Sequence, residues 1–128
     1  MQILLGFDYG TVRTGVALAQ DDEVEPLVTL QSSKLWQGVT ELVAMHKPSK
    51  LVVGLPRNLD GETTSQTQLA KDFGSQLATH TGLPVEYQDE AMSTERAKQV
   101  ISPNATIAEQ KQKLDQIAAA IILKDYLK

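Results

Sequence analysis

The chain has no cysteine, which excludes disulfides and thiolate zinc sites. It has no apolar run long enough to cross a bilayer, the longest near the C-terminus being Ile117 to Leu123, so no membrane role is expected. A basic n-region followed by an apolar h-region is missing from the start, and the cytoplasm is the expected compartment. Internal repeats, linkers and low-complexity tracts are also missing, which leaves residues 1–128 as a single domain that buries roughly two-thirds of the surface its unfolded chain exposes. Nor is there an excess of positive charge. A net charge of −4 argues at first against a polyanionic partner, but the position of charge counts for more than its sum.

What is present is an ordinary globular composition, 41% apolar and 22% charged, with one anomaly near the start. The apolar run Ile3 to Phe7 reads as a central strand covered on both faces, and it ends in Asp8. Burying a lone carboxylate costs several kcal/mol unless it is protonated, hydrogen-bonded or bound to a cation. A divalent cation and a plain turn aspartate before Gly10 are the two readings of Asp8.

The order of elements can be read onward from there. Gly15 to Ala19 and Val24 to Leu30, the latter with Pro26 near its start as suits an edge, complete an antiparallel meander with the first strand. Ser33 is expected to cap a helix carrying Leu35, Trp36, Val39, Leu42 and Val43, which Pro48 stops. Leu51 to Leu55 is a buried strand. Glu62 to His80, with Leu69, Ala70, Phe73 and Leu77 on one face, is an amphipathic helix ended by Gly82. Pro84 to Gln88 is a half-buried strand running into Asp89 and Glu90. A short helix is expected from Ser93 to about Ile101, and a final one from Ala108 to Tyr126. The last two strands must arrive by crossovers and lie parallel to the first. The result is an α/β, RNase H-like fold: a five-stranded mixed sheet, three antiparallel strands then two parallel, with helices on both faces.

Ligands gather outside the carboxyl ends of parallel strands, and those ends carry Asp8, the stretch Gly54 to Asn58, and Asp89 with Glu90. Asp115 lies about 60° from Ala118 and about 20° from Ile122 on the wheel of the last helix, at the border of its apolar stripe. Acidic residues brought together there repel one another unless cations lie between them. Oxygen-only ligands select Mg²⁺ or Mn²⁺, and two such ions about 3.5 to 4 Å apart support hydrolysis of a phosphodiester. Asp8, the Asp89-Glu90 pair and Asp115 are therefore candidates for a metal-assisted site. Structural alternatives accompany them: Asp115 could pair with Lys111, and Glu90 could cap the following helix. Arg13, Arg57, Asn58, Arg96, Lys111 and Lys113 are the candidate nucleic-acid contacts, each against the alternative of a solvated side chain. Tyr9 could stack on a base or pack in the core, and His46 and His80 sit at helix C-termini, where they serve the dipole.

Four strings carry a resemblance that runs from end to end: Gly6-Phe7-Asp8-Tyr9-Gly10-Thr11-Val12-Arg13-Thr14-Gly15-Val16-Ala17, then Val52 to Gly61, then Asp89-Glu90 with Ser93-Thr94, then Asp115 to Leu123. In their order and spacing they resemble the YqgF/RuvX family, which is related to the RuvC Holliday junction resolvases. The resemblance implies a cytoplasmic bacterial nuclease in 5′-end maturation of pre-16S ribosomal RNA, with Asp8, Glu90 and Asp115 as the metal-binding catalytic set. It also implies a structured rRNA precursor as substrate, with branched DNA the alternative and the oligomeric state open. The family usually follows Asp-Glu with arginine, whereas this chain has Ala91; Arg96 or Arg13 could take that part, and a catalytically decayed RNA-binding ribosome assembly factor is the non-enzymatic alternative. Asp8-Tyr9-Gly10-Thr11 also resembles the phosphate loop of actin-like ATPases and sugar kinases, but those clamp nucleotide between two domains.

Overall fold

The computed structural model describes residues 1–56, 63–90 and 107–128, the last from the backbone alone over 107–112. Arg57, Asn58, Ala91, Arg96, the helix expected from Ser93 and the side chain of Lys111 lie outside the described residues.

Five strands form one sheet in the order β3-β2-β1-β4-β5. β1 (Ile3–Asp8), β2 (Arg13–Gln20) and β3 (Glu23–Gln31) make the antiparallel meander, while β4 (Lys50–Pro56) and β5 (Val85–Glu90) run parallel to β1. Three helices are described, α1 (Leu35–His46), α2 (Ser65–Thr81) and α3 (Ile107–Tyr126). None is long and apolar enough to cross a membrane.

The two-residue period of the strands divides the core in two. Leu5 and Phe7 of β1, with Val16, Leu18, Leu51, Val53 and Leu55, pack against Leu35 and Val39 of α1 and Ala70, Phe73 and Leu77 of α2. Leu4, Ala17, Ala19 and Val52 point the other way, onto Ala119, Ala120, Ile122 and Leu123 of α3. α3 lies close because glycines face it: a Cβ on Gly6 would stand 2.5 Å from Leu123, and one on Gly54 would stand 2.4 Å from Ile122.

Three expectations need correction or refinement. Ser33 does not cap α1, because Ser32–Lys34 tighten into a 3₁₀ turn and the helix starts at Leu35 without a side-chain cap. The neighbouring Ser32 hydroxyl donates instead to the Thr11 carbonyl at 2.6 Å, tying this turn to the β1–β2 loop. Leu69 is not in the core; the inward face of α2 carries Thr67, Ala70, Phe73, Gly74 and Leu77, and Leu69 is 42% exposed. Pro26 sits at the fourth position of edge strand β3, where it pairs with Ala17 beside a register shift, so a bulge absorbs its missing donor. The end of α1 is set by Lys47 at φ 51° just before Pro48, and α2 ends at Gly82 as its sequence implies.

Candidate active site

Alternation along β1 decides where Asp8 points. Leu4 and Gly6 face α3, Leu5 and Phe7 face away, and Asp8 therefore falls on the α3 side at the strand's C-terminal end. The same period on β5 puts Glu90 with Glu86 on that side, and the Glu90 Cγ passes 3.2 Å from where a Cβ of Gly54 would stand. Asp115 reaches the group from α3. Its backbone carbonyl would lie 1.9 Å from a Cβ on Gly15, and Gly15 is the residue paired with Asp8 across β1 and β2. A side chain at position 15 would push the helix, and its acid, away.

Asp8 is in electrostatic reach of both Glu90 and Asp115, and the three acids are not equivalent. Asp8 and Glu90 are in hydrogen-bond contact. Burial, first, and then the charge and hydrogen bond of Glu90 and the charge of Asp115 hold the Asp8 carboxyl well above its ordinary range. Burial also raises Asp115, opposed by the hydrogen bond and charge of Arg13, whose Nε donates to Asp115 Oδ2 at 2.6 Å. The alternation of β2 puts Arg13 on the same face as Gly15, so this pair spans 102 positions of sequence to close one side of the site.

Beside the acids lies a cleft of about 260 Å³ walled by Tyr9, Gly10, Thr11, Val12 and Arg13 of the β1–β2 connection, Gln66 and Leu69 of α2, and Asp115. Tyr9 is packed, its ring stacked on Phe73 at 4.5 Å and 19°, which fixes the backbone just after Asp8. Gln66 and Leu69 were not anticipated; the only available signal was their place in the first turns of a helix following a strand end. Thr67 Oγ1 donates to the Pro56 carbonyl, and a capping box links Thr64 and Thr67, so α2 is fastened to the end of β4 beside the site. Lys113 is exposed on α3, two residues before Asp115. His80 bonds Thr40 at 2.8 Å and lines a separate cavity of about 580 Å³ with Trp36, Ser75, Gln76 and Thr79, which holds none of the three acids.

The donor set is made of carboxylate oxygens alone, which suits a hard divalent ion. Two of the three donors already touch; the third is turned onto Arg13, and among the described residues no three such side chains stand ready around one point. The chemistry of the residues fits a cation, which carboxylate oxygens of Asp8, Glu90 and Asp115 would hold.

The sheet order and its helices are similar to the RuvC structure of Thermus thermophilus in complex with a Holliday junction substrate (TM-score 0.61, 16% identity, 98% of this chain and 94% of that one). A second T. thermophilus RuvC structure gives a TM-score of 0.58 at 14% identity over 98% of this chain and 95% of that one. A family model described as "RuvX: Holliday junction resolvase" matches residues 2–128. A relative from Paraburkholderia xenovorans is 43% identical over 97% of this chain and 86% of its own, one from Nitrosococcus oceani 36% identical over 98% and 86%, and one from Streptococcus pneumoniae 33% identical over 97% and 96%. All three are named "Putative pre-16S rRNA nuclease". On the strength of these matches over nearly its whole length, the chain belongs to the RuvX family of nucleases, enzymes that hydrolyse phosphodiester bonds.

Proposed function

We propose that this chain is a nuclease dependent on Mg²⁺ or Mn²⁺ that acts in the cytoplasm on a structured rRNA precursor, in 5′-end maturation of pre-16S rRNA. Asp8, Glu90 and Asp115 are its catalytic residues and would hold the ions, two in number. The observation that supports the reading is the contact of Asp8 with Glu90 from the ends of β1 and β5, on either side of β4, with Asp115 in electrostatic reach of Asp8. Three acids so placed serve no structural need that an asparagine would not meet at lower cost.

When bound, such ions supply an activated water and stabilise the leaving oxygen of an in-line displacement. The chain's own residues prepare that chemistry. The Asp8 carboxyl must give up its proton to bulk water before it can act as a ligand, so activity is expected to rise with pH through its raised pKa. Arg13 offers a guanidinium to a phosphate entering the cleft, a role that matters more here because Ala91 stands where the family usually has arginine. Thr11 and Gln66 offer polar side chains on opposite walls of the same cleft. Lys113 on the surface, with Arg57, Asn58, Arg96 and Lys111 from the adjoining segments, would follow the backbone of the nucleic acid.

Incubation of the purified protein with a precursor fragment of 16S rRNA in Mg²⁺ or Mn²⁺, beside Asp8→Asn, tests the reading; equal cleavage by the two proteins ends it. The description of the family model favours one alternative, resolution of branched DNA. A resolvase must cut two strands symmetrically and hence works as a dimer. A monomeric mass in solution together with cleavage of the RNA but not of a four-way DNA junction separates the two.

A further inference from the structure

Each of the three acids has a partner in the fold as described: Asp8 and Glu90 engage one another, and Asp115 engages Arg13. The Arg13–Asp115 pair differs from a structural ion pair in its surroundings. Both side chains line the same cleft and keep 29% and 20% of their surface exposed, so either can be reached from solvent. The Asp115 backbone is seated closely on the sheet at Gly15, and from there its carboxylate can rotate about the side-chain bonds. Arg13 begins β2, with its backbone fixed by pairing to Gln31, and its long side chain can turn from Asp115 into the cleft without disturbing the sheet.

We propose that Arg13 is an exchangeable counter-ion, bound to Asp115 in the metal-free protein and released to a substrate phosphate when a divalent cation takes that carboxylate. This rests on the reading of the three acids as a cation site. It makes Arg13 a positioning residue for the ion and a contact for the phosphate in turn. The exchange couples the two ligands: cation binding frees the guanidinium for the polyanion, and by reciprocity the polyanion favours the cation. The acidic protein would then hold nucleic acid firmly at this cleft only once it is loaded.

The test begins with the unmodified protein and Mg²⁺ alone. The Nε–H resonance of Arg13, identified by its loss in Arg13→Lys, is followed by NMR through a titration, while amide resonances around Asp8 report ion binding independently. The expected result is that both respond along the same binding curve. Amide shifts that saturate while the Arg13 resonance stays unchanged overturn the exchange and leave the cation site standing; no response from either removes the cation reading and the exchange with it. A second measurement counts free Mn²⁺ by electron paramagnetic resonance. Relieved of its competitor, Arg13→Gln is expected to bind Mn²⁺ about tenfold more tightly than the unmodified protein. Equal or weaker binding by a folded Arg13→Gln contradicts the proposal.

Discussion

Asp8 carries a conflict between folding and function that single substitutions expose. Its folded pKa lies well above the ordinary value of 3.8, so the folded metal-free protein holds a proton there that the unfolded chain has already released. The stability that this proton confers is fully present below about pH 3.8 and is lost as pH rises through the raised value. Asp8→Asn, which keeps the shape and removes the titration, should raise the melting temperature of the metal-free protein at neutral pH by a few degrees and flatten its dependence on pH, as scanning calorimetry would show. The same change should lower cleavage by about 10³-fold or more. Gly15 acts through space rather than charge. Gly15→Ala forces a Cβ into the Asp115 carbonyl and should cost about 3 kcal/mol in urea unfolding, because the obstacle is helix backbone that cannot turn aside.

Among the elements, α2 shows how a strand end is made into a rim. The capping box of Thr64 and Thr67 begins the helix, and Thr67, itself buried, reaches back to the Pro56 carbonyl. Thr67→Val removes both bonds while keeping the volume, and a loss of about 1 to 3 kcal/mol in equilibrium unfolding is expected. The strands and helices were legible in the sequence because their signals are local: the unbroken apolar run before Asp8, the three-and-four spacing of Ala70, Phe73 and Leu77, and Gly82 after the last turn. Leu69 was misplaced for a related reason. Spacing marks a broad apolar face, whereas only packing against the sheet selects the narrower stripe of small and aromatic residues that touches it. Ser33 yielded to a 3₁₀ turn held by Ser32 on Thr11, a contact 21 positions away that no local pattern announces. The meeting of the acids followed from strand ends and the helical wheel, but the capture of Asp115 by Arg13 depended on the register of β2 with β1.

For the whole molecule, the proposed cation site would link the stability of the fold to ion binding. A cation that binds only the folded chain adds about 2.7 kcal/mol at a hundred times its dissociation constant, which for a domain of this size is about 10 °C in melting temperature. Because such an ion would displace a proton from Asp8, the gain should be larger at pH 8 than at pH 6, opposite in slope to the metal-free protein. Thermal melts with and without Mg²⁺ at the two pH values would show this crossing; parallel shifts would contradict it.

The last turn of α3 gives the molecule a handle far from its chemistry. Tyr126 donates to Glu86 and accepts from Lys50 at 3.2 Å, while Lys50 and Glu86 pair at 2.8 Å. At 1.5 Å of rise per residue, this anchorage lies about 16 Å along the helix axis from Asp115. The helix therefore works as a caliper held at both ends, by Tyr126 at one pole and by the seat of Asp115 on Gly15 at the other: loosening the far hold lets the axial position of Asp115 relative to Asp8 drift, and Tyr126→Phe should slow turnover although it touches neither acid nor substrate.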